Sequence, residues 1–268
     1  MSAGHHRVVT GALSALEDAL ADHVFAAKAD DALKPVVILV GGTLLRPYLG
    51  RRIFELRGPH INVQIVTASE LGLRLGERAM ISAGRTPLPL LADRVLAHEA
   101  ALDTPGYFDA VRDTPGFGQA LHRTLVELRR AGLSPDELAA AAPQLPESEK
   151  ISALAALARR HAELRDDHYD ADEALAAADP TWLGAEELIV YGMWDAPELI
   201  RSAIAAIGKD HVVTAYLPTA HAMAHTAHAD LRGWMTSALG AQEEPLACLL
   251  YTSPSPRDRT RSRMPSSA

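Results

Sequence analysis

The most constraining stretch of the chain is Val36-Val37-Ile38-Leu39-Val40-Gly41-Gly42-Thr43. Five apolar residues, four of them β-branched, run without a polar break into a glycine pair and a hydroxyl residue. A continuous apolar run of this length fits a strand buried on both faces, the usual state of a parallel strand in an α/β sheet. Residues 44–56 follow as an amphipathic run with Pro47 in its first turn, where the missing N–H costs little. The order is therefore strand, tight turn, helix. Ligands collect at such turns because the free amides and the helix dipole favour anions.

The same rhythm surrounds this stretch. Residues 7–11 read as a first strand. Residues 12–28 read as a helix, with Leu13, Leu16, Leu20 and Val24 on one face. Residues 62–67 read as a third strand, and Ser69 is expected to cap a helix through Met80. Strands alternating with helices at this spacing imply a parallel sheet with right-handed crossovers. From Pro87 to about Leu183 the pattern predicts no strand. Helices are expected over 88–102, over 119–131 with Gly132 as the stop, from the capping box Ser134-Pro135-Asp136-Glu137, from Ser148 to about 165, and from Asp170. Strands return at 187–191 and 211–217, with helices from Pro197 to Ile207 and over 221–239. The expected organisation is α/β: a parallel sheet in two parts, 1–86 and 185–247, interrupted by an all-helical subdomain at 87–184.

Residues 248–268 stand apart. Their start, Cys-Leu-Leu-Tyr-Thr-Ser-Pro-Ser-Pro-Arg, back-translates to a transposon-type sequencing adapter. We read this tail as an artefact and expect the natural chain to continue past about Ala247. Four of the 26 basic and one of the 34 acidic residues lie in the tail, so the body carries 22 and 33, a net charge of −11. The single cysteine also lies there. A cysteine-free body holds no thiolate metal site and needs no disulfide, so a cytoplasmic location is expected. The acidic balance argues against nucleic-acid binding by bulk charge, though not against a local basic groove. No apolar run is long enough to span a membrane, and no secretory leader is expected.

Few motifs carry chemistry. A phosphate loop needs G-x-x-x-x-G-K-[ST]. The first strand-to-helix turn, Thr10-Gly11-Ala12-Leu13-Ser14, keeps only Gly11 and Ser14 of a degenerate nucleotide site and has no lysine. G-x-G-x-x-G and G-x-S-x-G are absent from the sequence. Asp195 reads as a helix cap before Pro197. His221, His225 and His228 share a helix face but read as solvated rather than metal-binding. Asp166, Asp167, Asp170 and Asp172 read as solvated and capping residues, without the glycine and glutamate of a calcium loop. No catalytic residue, metal or cofactor is assigned. Arg46, Arg51 and Arg52, beside the turn at 41–43, can hold a nucleic-acid backbone or form a solvated helix face.

In their order these segments resemble the N-terminal part of an AddB/RexB-type subunit of a bacterial ATP-dependent helicase–nuclease. The resemblance is carried by residues 36–53, by Ile65-Val66-Thr67-Ala68-Ser69-Glu70-Leu71, by Pro115-Gly116-Phe117-Gly118-Gln119-Ala120-Leu121 through Leu133, and by 188–195 with 212–218. It implies a RecA-like (P-loop NTPase-like), superfamily-one helicase-like domain with an inserted helical subdomain, catalytically inactive here because the phosphate loop is lost. It further implies a scaffold in DNA double-strand-break processing, an AddA/RexA-type helicase partner, and a PD-(D/E)XK nuclease beyond the tail. On this reading single-stranded DNA is contacted by Gly42, Thr43, Arg46, Arg51, Arg52, Thr67 and Ser69. The alternatives are a scaffold that touches no DNA and an unrelated α/β ligand-binding enzyme.

Overall fold

The computed structural model describes residues 5–194, 196–219 and 222–246. Asp195, His221 and the tail from Ala247 lie outside the described residues, and with them the readings made for those positions. The first half of the sheet layer is β1 (Arg7–Gly11), α1 (Leu13–Ala27), β2 (Val36–Val40), α2 (Leu45–Arg57), β3 (Val63–Val66) and α3 (Ala68–Ser82). The helical segment is β4 (Thr86–Pro87), α4 (Ala92–Asp103), α5 (Phe117–Arg130), α6 (Pro135–Ala141), α7 (Ser148–Leu164), β5 (His168–Tyr169) and α8 (Ala171–Ala176). The chain then completes the sheet with β6 (Glu187–Tyr191), α9 (Glu198–Ile207), β7 (Val212–Pro218), α10 (Ala222–Ala227), α11 (Ala229–Ala238) and β8 (Gln242–Pro245).

Six strands form one sheet in the order β3-β2-β6-β7-β1-β8, and each pairing is parallel. The strand period of two divides the central residues between two cores. Val37 and Leu39 of β2, with Leu188 and Val190 of β6, face one core; Val36, Ile38 and Val40, with Ile189 and Tyr191, face the other. Both faces are dry, which is why β2 is apolar at every position.

The helical segment leaves the sheet layer at Thr86 and returns beside its point of departure, since Thr86 and Pro87 pair with His168 and Tyr169. These two-residue strands correct the strand-free reading of 87–183. Its own small core gathers Ala97, Leu121, Leu125 and Leu157 from α4, α5 and α7. α8 is bound to α3 at very close range. A Cβ at Gly72 or Gly76 would overlap the carbonyl oxygens of Ala171 and Ala174, so these glycines set the approach of the two helices.

Other expectations shift by identifiable causes. α4 starts at Ala92 rather than 88, because Pro87 and Pro89 disfavour helix in the residues before them. α3 is capped by Thr67, not Ser69: Thr67 Oγ1 accepts from the Glu70 amide, and the Glu70 carboxylate accepts from the Thr67 amide. The helix expected over 221–239 breaks at His228 into α10 and α11. β8 escaped the sequence reading entirely. Its Gln-Glu-Glu-Pro is an exposed edge, and an edge strand needs no apolar run.

Candidate functional site

The site follows from which face each helix covers. α1 and α2 place Leu16, Leu20, Leu49 and Ile53 in one core. α3, α9 and α11 place Leu71, Leu75, Ile204, Ile207, Leu231 and Met235 in the other. β2 and β6 are neighbours, yet the helices that follow them go to opposite faces. A crevice must open between the two carboxyl ends, and ligands of open α/β sheets bind at such switch points. A second switch lies between β1 and β7, and there the chain fills it. Thr219 donates its amide to the Gly11 carbonyl at 2.9 Å, and Leu246 donates to Thr10 at 2.7 Å while packing on Gly11.

The β2/β6 crevice is a cleft of about 350 Å³. Its walls are the turn Gly41-Gly42-Thr43, the start of α3 at Thr67-Ala68-Ser69, Met193-Trp194 after β6, Pro197 to Ile200 at the head of α9, and Arg130 with Asp172 from the helical side. Nothing stands within 4 Å of the position a Cβ would take on Gly42, so that turn is open to the cleft. Gly192 turns the chain out of β6 at φ +59°, a conformation that favours glycine. α2, α3 and α9 all begin here, so three positive dipole ends converge, although the amides of Leu45, Arg46, Glu70 and Ile200 are already taken by Gly42, Thr43, Thr67 and Pro197. Trp194 stays 64% exposed. The arrangement offers hydroxyls and amides to an anion, and an accessible aromatic face to a planar group.

Four of the expected contact residues therefore share one cleft: Gly42, Thr43, Thr67 and Ser69. The three arginines do not join as a group. At about 100° per residue, Arg51 and Arg52 stand roughly 140° and 240° around α2 from Arg46. Arg46 borders a shallower groove shared with Thr43 and pairs with Glu70. Backbone and hydroxyl bonds from Thr67, together with Arg46, hold the Glu70 carboxyl below its usual range. Arg52 turns to α1, where its Nε meets Glu17 at 2.7 Å. Glu17 is 5% exposed and also accepts from the Tyr48 hydroxyl. Arg51 is exposed and makes no ion pair among the described residues. Of the degenerate nucleotide site, Gly11 lies under Leu246 and Ser14 is exposed on α1. The single residue Ala12 joins β1 to α1, which is too short to wrap a phosphate.

Sequence reasoning missed the helical wall. Arg130 ends α5 and binds Asp172 through two bonds, Nε to Oδ2 at 2.6 Å and Nη2 to Oδ1 at 3.2 Å. Asp172 is 7% exposed, and Asp170 takes both Arg129 and Arg165. Asp170 caps α8 as expected, accepting from the Glu173 amide at 2.9 Å, but it and Asp172 are not solvated and also dock the helices. The one available signal was a doublet of opposite charge on each side, Arg129-Arg130 and Asp170 with Asp172. His228 is likewise not solvated. It is 4% exposed, and its Nδ1 donates to the Met193 carbonyl at 3.0 Å, while His225 remains on the surface. Among the described residues no group of three His, Cys, Asp or Glu could hold a metal, and no helix is long and apolar enough to cross a membrane.

Behind this wall lies the most deeply buried charge among the described residues. Arg165, 2% exposed, binds Asp93, Asp170 and Glu173. Burial opposes ionisation of Asp93, but its bond from His161 and the Arg165 charge hold its carboxyl far below the usual range. No protein-family model matches the chain, and no curated protein matches its sequence.

Proposed function

We infer that this chain is a catalytically inactive, helicase-like, RecA-like region of a DNA-break-processing helicase–nuclease subunit, and that it contacts single-stranded DNA at the β2/β6 cleft. The observation that carries the reading is the convergence there of the two turns at 41–43 and 67–69 with the exposed ring of Trp194. Backbone contacts supply sequence-independent affinity, and a stacked base adds selectivity for a single strand. A parallel sheet interrupted after its third strand by a helical segment supports the RecA-like assignment. The one-residue β1–α1 connection supports the loss of nucleotide hydrolysis.

Anisotropy of a fluorescein-labelled oligo(dT) tests the reading. Binding should weaken with salt, and Trp194→Ala should cost about 1–3 kcal/mol of affinity without loss of folding. Equal affinity for single and double strands, or no effect of Trp194→Ala, would remove the cleft from the reading. Acidic net charge and the pairing of Arg46 and Arg52 favour one other reading, a scaffold for an AddA/RexA-type helicase. Co-purification with that partner, with no DNA retardation by this chain, would decide for it.

A further inference from the structure

The cleft carries its own anion. Asp172 and Arg130 both line it, side by side on its helical wall. Asp172 sits in the first turn of α8, which Gly72 and Gly76 bind tightly to α3 and so to the sheet. Arg130 is the last residue of α5 in the helical segment. The end of α5 is a Schellman turn: Leu133 donates to Leu128 and Gly132 to Arg129, both at 3.0 Å, with Gly132 at φ +75°. That turn leaves Arg130 at the negative end of α5, opposite the positive end of α8.

The pair is a two-bond fork of guanidinium on carboxylate, the geometry with which arginine also holds a phosphate. Its neighbour differs. Arg129 and Asp170 join the same two helices, but they belong to the buried Arg165 cluster and do not line the cleft. Docking is already served by that inner pair. The outer pair presents a guanidinium 46% exposed beside the free turns.

We propose that Asp172 is an internal occupant of the cleft, holding Arg130 in the place of a DNA phosphate, so that a bound strand must compete with Asp172 for Arg130. This rests on the single-stranded-DNA reading above and adds an autoinhibitory contact to it. Two consequences follow. The carboxylate repels a strand near the cleft and occupies the Arg130 cation, so wild-type affinity is held down. A strand that takes Arg130 also loosens the outer clasp between α5 and α8.

Anisotropy of labelled oligo(dT) across a salt series tests this with three variants, each checked by thermal melting. Asp172→Asn should bind about three- to tenfold more tightly than wild type. Asp136→Asn, an exposed aspartate paired with Arg159 on α6, makes the same charge change away from the cleft and should stay within about twofold. Arg130→Gln should weaken binding about tenfold and lower the salt slope by about one. It also reports on the proposal if Asp172→Asn folds poorly. Salt-sensitive wild-type binding with Asp172→Asn no tighter than Asp136→Asn, or an unchanged slope in Arg130→Gln, overturns the gate and leaves the DNA reading standing. No binding by wild type or by Asp172→Asn overturns both.

Discussion

The imidazole of His228 and the backbone of Met193 are joined by a 3.0 Å bond from Nδ1 to the carbonyl oxygen, inside a site only 4% exposed. The bond spans the break between α10 and α11 and the turn that carries Trp194. It couples the last helices of the chain to one wall of the cleft. Since a carbonyl only accepts, Nδ1 carries the proton of a neutral ring.

Burial pushes the His228 imidazole below its ordinary pKa of 6.5, although the bond to Met193 opposes this. The folded state thus prefers the neutral ring, and the unfolded chain takes up the proton first as pH falls. Its contribution is complete above about pH 6.5 and declines in more acidic solution. His228→Leu should cost about 1–3 kcal/mol near neutrality by orphaning the Met193 carbonyl. It should also flatten the pH dependence between about pH 7.5 and 5.5. Urea denaturation at both values checks each effect, and an unchanged pH slope would remove His228 as its source.

Two glycines separate steric demand from mere helix propensity. Gly76 leaves no room for a Cβ against the Ala174 carbonyl. Gly76→Ala must part α3 from α8 and should cost about 3 kcal/mol or more. Gly233 lies within α11 with nothing inside 4 Å of the same position. Gly233→Ala should gain about 0.5–1 kcal/mol. Thermal melts of the two variants should move in opposite directions.

What the sequence disclosed depended on whether the information was local. β2 was legible to the residue because a strand dry on both faces has no choice of composition. The Ser134 capping box was legible because caps are set within one turn. β8 was not, since its stability comes from pairing with β1, not from its own residues. The cleft was half legible. Its two turns read directly, but the helical wall requires Arg130 and Asp172 to meet across 42 positions. The three arginines do not share one face, because adjacency in sequence is not adjacency on a helix.

Asp93 tests the buried cluster. Desolvation alone would raise its carboxyl, and the bond from His161 with the Arg165 charge more than reverses this. A depressed carboxylate stabilises the fold above its unfolded value of about 3.8 and loses that contribution as pH falls below it. Asp93→Asn should cost about 3 kcal/mol near neutrality, because Arg165 keeps only two of its three carboxylates. It should also reduce the steepness of acid unfolding below about pH 4. Circular dichroism during acid titration reads both, and an equal acid response in wild type and variant would rule out the cluster as its source.

The arginines of α2 should come apart in function as they do in space. Arg52 neutralises Glu17, which is 5% exposed. Arg52→Ala should therefore lower the thermal melting midpoint, by leaving Glu17 without its cation, and leave DNA affinity of the folded fraction unchanged. Arg46 pairs with Glu70 at the surface and borders Thr43. An exposed pair contributes about 0–1 kcal/mol, so Arg46→Ala should barely move the melt. It should weaken oligo(dT) binding and lower the salt slope by about one. Arg51, exposed and turned from the cleft, should change stability by less than about 0.5 kcal/mol and binding little. If all three substitutions weaken binding alike, the strand runs along α2 and not into the cleft. If only Arg46→Ala does, the turn at Gly42 and Thr43 is where it passes.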